Sequence, residues 1–202
     1  MATETSNEAA AARDAAPVPY RWSARMFHWV TVAAIVVMII TGNWMTNRGN
    51  AGVWDDLTNA LYSSHKLLGF VLLWFVLLRL LNRFVFGVPP EPASLTPFQR
   101  MASSAVHWSL YAVLIALPIA GWVGVSMFPA LNIFGVFNLP SIAPVDQEMS
   151  KQVFAIHHYL GYALVALLAV HIGAALFHAI VQKDGVFQRM WPTRAKSRSD
   201  GR

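Results

Sequence analysis

The chain has 202 residues, of which 56% are hydrophobic and 12% charged, with a mean hydropathy of +0.46. A soluble domain carries about twice that share of charge, so the sequence reads as an integral membrane protein. It has seven histidines and no cysteine. That excludes disulfides, cysteine-ligated zinc, iron–sulfur clusters and thioether-linked haem, and any haem here is held by axial ligands and non-covalent contacts alone. The net charge of +5 comes from basic residues flanking apolar spans, which points to membrane topology and not to nucleic acid.

In chain order, residues 1–19 are Ala-rich, polar and closed by two prolines. They lack the basic start and apolar core of a signal peptide and are expected to form a disordered tail. Residues 20–192 form one transmembrane domain, and 193–202 a short basic tail. The domain contains four apolar spans, at about 26–45, 62–81, 105–127 and 153–181, each near the ~20 residues that a bilayer requires. The first connection carries Asn47, Arg48, Gly49 and Asn50 with Asp55 and Asp56. The second, GVPPEPASLTP, is Pro-rich and non-helical. The third, about 128–152, is long and holds prolines, Phe134, Phe137 and an acidic patch at Asp146 and Glu148. The expected architecture is an all-α, four-helix up-and-down bundle in the membrane.

Of the fifteen Lys and Arg residues, only Arg48, Lys66 and Lys151 fall on the side of the first and third connections. The other twelve lie with the termini and the second connection, so both termini are expected in the cytoplasm. Trp22, Trp29, Trp44, Trp108, Trp122 and Trp191 fit interfacial belts. Trp74 lies too deep for that and is expected to pack in the core.

The spans echo one another. His28 and His107 each precede a tryptophan and stand fourteen residues before a glycine, Gly42 and Gly121. His65 and His157 each stand four residues before Gly69 and Gly161, each of which is followed by an aromatic residue. The chain reads as a degenerate repeat of one helical hairpin.

The fourth span carries the sharpest signal. His157, His171 and His178 are spaced by fourteen and seven residues, which at about 100° per residue sets all three on one face, while His158 points elsewhere. His157 and His171 are roughly 21 Å apart along the axis. Polar residues at two depths of an apolar face are functional candidates. Following each span through the membrane puts His65 level with His157 on the outer side, and His28 level with His171 on the inner side. Opposed neutral imidazoles can be both axial ligands of a haem iron, and two such pairs suggest two stacked centres for electron transfer.

The glycines Gly42, Gly69 and Gly161 lie where a flat porphyrin would need close backbone approach, although helix packing alone also uses glycine. Arg79 is fourteen residues after His65, at the inner level, and is open to two readings: pairing with haem propionates or snorkelling as a positive-inside anchor. His107 is the repeat counterpart of His28 and is read either as a ligand or as an interfacial or neighbouring residue. His178 lies beyond the inner pair, where quinone contact or proton relay is open to it.

Taken together, His28-Trp29, HKLLGF, LLRLLNRF, YAVLIALPIAGW and YLGYALVALLAVHIGAALFH resemble the prokaryotic cytochrome b561 family from about residue 20 to 191. The resemblance implies two non-covalent b haems, bis-His ligation by His28, His65, His157 and His171, reaction with quinone near His178, and a bacterial inner membrane. One branch of that family takes electrons from superoxide at the periplasmic side and passes them to ubiquinone. Arg48, Lys66 and Lys151 are candidates for attracting such an anion, against Asp55, Asp56, Asp146 and Glu148.

The expected function is a dihaem b-type cytochrome moving electrons between a periplasmic donor, with superoxide as the enzymatic candidate, and the quinone pool. The other reading is a non-enzymatic membrane subunit relaying electrons for a periplasmic dehydrogenase or c-type cytochrome docking on the third connection. A proton or metal transporter is disfavoured because none of the four spans holds Asp or Glu.

Overall fold

The computed structural model describes residues 18–191. The tail expected over 193–202 lies outside the described residues, as does all but the end of the stretch 1–19. Four long helices make up the fold: α1 (Trp22–Asn50), α2 (Asp56–Phe86), α3 (Pro97–Met127) and α4 (Gln147–Phe177). All four are long and apolar enough to cross a bilayer, as expected. α4 runs on into a π-helical turn, His178–Gln182, followed by a 3-10 turn, Phe187–Arg189.

Side-chain caps set three of the four helix starts. The carboxylates of Asp55 and Asp146 accept from the backbone N–H groups of Thr58 and Met149 at the starts of α2 and α4. Thr96 and Gln99 cap α3 reciprocally, and Pro97 occupies the first turn, where its missing N–H costs nothing.

Residues 47–50 belong to α1, not to the first connection. Gly49 does not break the helix there. A β-carbon at that position would stand 2.8 Å from Tyr62 Oη, so the glycine lets α1 lie against α2. Arg48 then reaches across to Thr58 Oγ1 at 2.7 Å and pairs with Asp55.

α1 packs along α2, α3 along α4, and α2 along α3. The buried core is small: Ile35, Leu72, Val76, Leu110, Leu114 and Leu164. Trp74 corrects the expectation of core packing, since it is 50% exposed. It shares a stripe with Val71, Leu78 and Leu81, all exposed and all at helical spacing from it. That stripe is the lipid-facing side of α2, where large apolar residues belong.

The described chain ends meet at one end of the bundle. Tyr20 N–H donates to Arg189 O at 3.0 Å, Trp29 Nε1 donates to Met190 O at 2.9 Å, and Arg25 Nη1 to Trp191 O at 3.0 Å.

At the opposite end, the third connection holds a hairpin that the sequence did not announce. β1 (Asn132–Ile133) runs antiparallel to β2 (Phe137–Asn138), with Asn132 opposite Asn138. Phe134 and Gly135 turn the chain with φ of 52° and 73°, the left-handed geometry of tight hairpins. Ile133 is fully buried. Lys66 Nζ donates to Ala130 O at 2.8 Å and to Asn132 O, and Phe134 N–H donates to Ser63 Oγ at 3.2 Å. The hairpin is thus strapped to α2 beside His65.

Candidate functional site

The histidines meet at two levels. At the hairpin end the rings of His65 and His157 have centroids 6.3 Å apart and planes at 77°. At the terminal end His28 and His171 are 6.2 Å apart at 65°. These are the couples expected from the spacing.

An imidazole nitrogen binds a metal such as zinc at about 2 Å, and the ring centroid stands roughly 1 Å behind that nitrogen. Two rings holding one metal from opposite sides therefore have centroids about 6 Å apart. Both couples match that figure. His107 also approaches His171, but at 5.2 Å, which is short for a shared metal. Among the described residues no group of three or more His, Cys, Asp or Glu could hold a metal ion. Paired imidazoles without further donors suit a metal whose other positions are filled by its own macrocycle, as in haem.

Hydrogen bonds assign the protons at the hairpin-end level. Thr41 Oγ1 donates to Val37 O at 2.8 Å, so its oxygen accepts from His65 Nδ1–H at 3.2 Å. His157 Nδ1–H donates to Leu117 O at 2.9 Å. Each ring is left with its Nε2 lone pair, the tautomer that a metal ligand needs. The terminal-end level is reversed. Arg79 Nη2 can only donate, and it stands 3.0 Å from His28 Nδ1, so that nitrogen accepts. His28 can present an Nε2 lone pair only once Arg79 turns away. The Arg79 guanidinium also lies over the Tyr111 ring, 5.5 Å from its centroid.

The repeat is visible in three dimensions. A β-carbon at Gly42 would stand 3.0 Å from His65 Cε1, and one at Gly121 would stand 3.0 Å from His157 Cε1. Each glycine of the first hairpin helix clears space for the histidine of the second. In the sequence Gly121 shows only as an echo of Gly42. Gly69 packs against Met38, with a β-carbon 3.3 Å from its Cε, whereas a β-carbon at Gly161 would meet no atom within 4 Å.

Between the levels lies one aliphatic layer. Ile35, Leu72, Leu114 and Leu164 each follow His28, His65, His107 and His157 by seven residues, one from each helix, and all four are buried.

His178 is brought to neither level. Its Nδ1 lies 2.7 Å from Asp184 Oδ2, a partner that sequence reasoning misses because it sits beyond the span. His158 is exposed and bonds its own helix at Phe154 O, with its ring edge-on to that of its neighbour His157, centroids 6.1 Å apart. The three cations of the hairpin end are all engaged: Arg48 with Asp55, Lys151 with Glu148, and Lys66 with two carbonyls.

Four membrane-crossing helices with imidazole couples at two depths define a membrane cytochrome. Comparison with known proteins agrees. The sequence profile described as prokaryotic cytochrome b561 matches residues 19–193. Cytochrome b561 homolog 2 of Escherichia coli (strain K12) is 30% identical, over 91% of this chain and 95% of its own length. Cytochrome b561 homolog 1 of the same organism is also 30% identical, over 83% and 93%. A probable superoxide oxidase, CybB, of Yersinia pestis is 25% identical over 64% of this chain and 74% of its own. The chain belongs to the prokaryotic cytochrome b561 family, whose members are haem b proteins of the inner membrane that carry electrons.

Proposed function

We propose that the protein carries two b haems and moves electrons across the bilayer, from a periplasmic donor at the hairpin end to quinone at the end where the termini meet. The observation that carries this reading is the pair of imidazole couples, with centroids 6.3 Å and 6.2 Å apart, one at each depth. Haem iron, when bound, takes up and releases single electrons.

His65 and His157 would hold one group and His28 and His171 the other. Arg79 would pair with a propionate, which frees His28 Nδ1 from the contact it now accepts. Gly42 keeps the His65 ring in place, Gly69 is covered by Met38, and Gly161 is a point where the backbone can come close to a flat ligand. The aliphatic layer keeps water and charge out of the space between the levels. A cytoplasmic position for both termini is supported by the twelve-to-three bias in basic residues.

Superoxide is the enzymatic candidate for donor, supported by the name of the Yersinia relative. Engagement of Arg48, Lys66 and Lys151 in local bonds weakens the case for a cationic funnel. The second reading, a relay for a periplasmic dehydrogenase or c-type cytochrome, draws on the exposed Phe134, Val136 and Phe137 of the hairpin segment. The test is the visible spectrum of purified protein with haem counted per chain. Two haems are expected, and one fewer in His65→Ala or His157→Ala. A colourless, correctly inserted protein overturns the reading. Superoxide reducing quinone through the protein alone selects the first donor; dependence on a co-purifying protein selects the second.

A further inference from the structure

α4 changes character at His178. It widens into the π-helical turn His178–Gln182, and Lys183 follows in the left-handed conformation at φ 51°, ψ 33°, which is strained for a non-glycine residue. The effect is to reverse the chain within six residues and return Asp184 to His178. The Nδ1–Oδ2 distance is 2.7 Å, and the two side chains are only 12% and 8% exposed. The other carboxylate oxygen accepts from Val186 N–H at 3.1 Å, so Asp184 is held from two directions. π turns and strained residues collect at functional sites. A carboxylate on one ring nitrogen decides what the other nitrogen offers. His178 stands seven residues after His171 on the same face, about 10 Å further towards the terminal end.

We propose that Asp184 is the positioning residue of a proton-delivery pair: it fixes His178 with Nδ1–H on the carboxylate and presents Nε2–H of the protonated ring to a carbonyl oxygen of quinone. The inference rests on the quinone reading above. Reducing a quinone to the hydroquinone takes two electrons, supplied singly by the donor through the protein's cofactors, and two protons. As an oxygen gains charge, the O–H bond forms and the Nε2–H bond breaks. The imidazole is left neutral and takes a proton back from water at the terminal end, and the second proton follows by the same route. Asp184 stays ionised throughout and stabilises the cationic ring, the part a buried carboxylate plays behind a catalytic histidine.

Two measurements on the full-length, haem-loaded protein decide it. The first is ¹⁵N NMR of histidine-labelled wild type, with His178 assigned by its loss in His178→Gln. A ring protonated on Nδ1 when neutral is expected, and one protonated only on Nε2 overturns the proposal without any variant needing to fold at Asp184. In the second, chemically reduced protein is mixed with a short-chain ubiquinone or with ferricyanide, which accepts electrons without protons. Asp184→Asn and His178→Gln should slow the quinone arm by about tenfold or more and leave the ferricyanide arm unchanged, and Asp184→Glu should recover most of the quinone rate. An unchanged quinone rate in Asp184→Asn, or equal slowing in both arms, overturns the role of Asp184 alone. Wild type inert towards quinone but oxidised by ferricyanide removes the quinone reading itself.

Discussion

Gly42 of α1 faces His65 of α2 so closely that a β-carbon at position 42 would stand 3.0 Å from the imidazole Cε1. Ordinary contacts leave several tenths of an ångström more. The ring cannot retreat without breaking the bond from its Nδ1 to Thr41. Gly42→Ala is therefore expected to displace His65, lowering haem content towards one per chain or altering the low-spin electron paramagnetic resonance signal of one centre. Gly121→Ala should do the same through His157, against which its β-carbon would also stand at 3.0 Å. Gly173→Ala is the control. It meets no atom within 4 Å and should be neutral or slightly stabilising, since alanine favours helix by up to about 1 kcal/mol.

The centroid distances separate His28 from His107. At 6.2 Å from His171 the first suits a shared metal, and at 5.2 Å the second is too near. His28→Ala is expected to lose one haem and His107→Ala to keep both, as read by haem extraction and counting. A His107 variant that lost a haem while His28→Ala kept two would reverse the assignment.

Much of this geometry is legible in the sequence because a membrane helix has one dominant period. The fourteen-residue steps from His28 to Gly42, His65 to Arg79 and His157 to His171 set both face and depth through spacing alone. The aliphatic layer at Ile35, Leu72, Leu114 and Leu164 follows from the same seven-residue step, but buried aliphatics look like any other apolar residue in a span. Period cannot reveal bonds between distant segments. Lys66 is satisfied by carbonyls 64 and 66 residues away, and the hairpin is tied to α2 by those bonds and by Ser63. Trp74 defeats the sequence reading because depth in the bilayer is not depth in the protein, and a wide stripe of lipid-facing residues separates the two.

Asp55 gives a pH signature at the hairpin end. The Thr58 backbone N–H, then the Arg48 and Thr58 side chains, stabilise its carboxylate and pull its pKa from 3.8 down to about 2. A depressed carboxylate pKa means the contribution is complete above pH ~4 and is lost as pH falls from ~4 to ~2. Thermal stability of wild type and Asp55→Ala should accordingly differ by a constant amount from pH 7 down to about 5. The two curves should converge only at lower pH. Convergence between pH 7 and 5 would show that another group controls the cap.

Arg189 closes the terminal end. The residue is 6% exposed, yet no carboxylate pairs with it among the described residues. Nε donates to Val18 O at 2.9 Å, and Nη2 donates to Pro89 O at 3.2 Å and Pro90 O at 2.7 Å. The guanidinium lies 5.3 Å from the centroid of the Tyr20 ring. One side chain thus joins the start of the chain, the second connection and the segment after α4. Its planar fork reaches acceptors in two directions, whereas a lysine ammonium is a single point on a flexible stem. Arg189→Lys should forfeit most of this arrangement, and hydrogen bonds from a charged donor are worth about 1.5–3 kcal/mol each, so a loss of roughly 3 kcal/mol is expected locally. The bundle core is untouched, which makes the first symptom regional. Protease should cut within 183–191 and near residue 20 in the variant while both haems are retained, and the bond from Trp29 to Met190 should show faster hydrogen exchange. If the variant instead lost haem before its ends became cleavable, the clasp would be coupled to the histidine levels and would be more than a fastening of the chain ends.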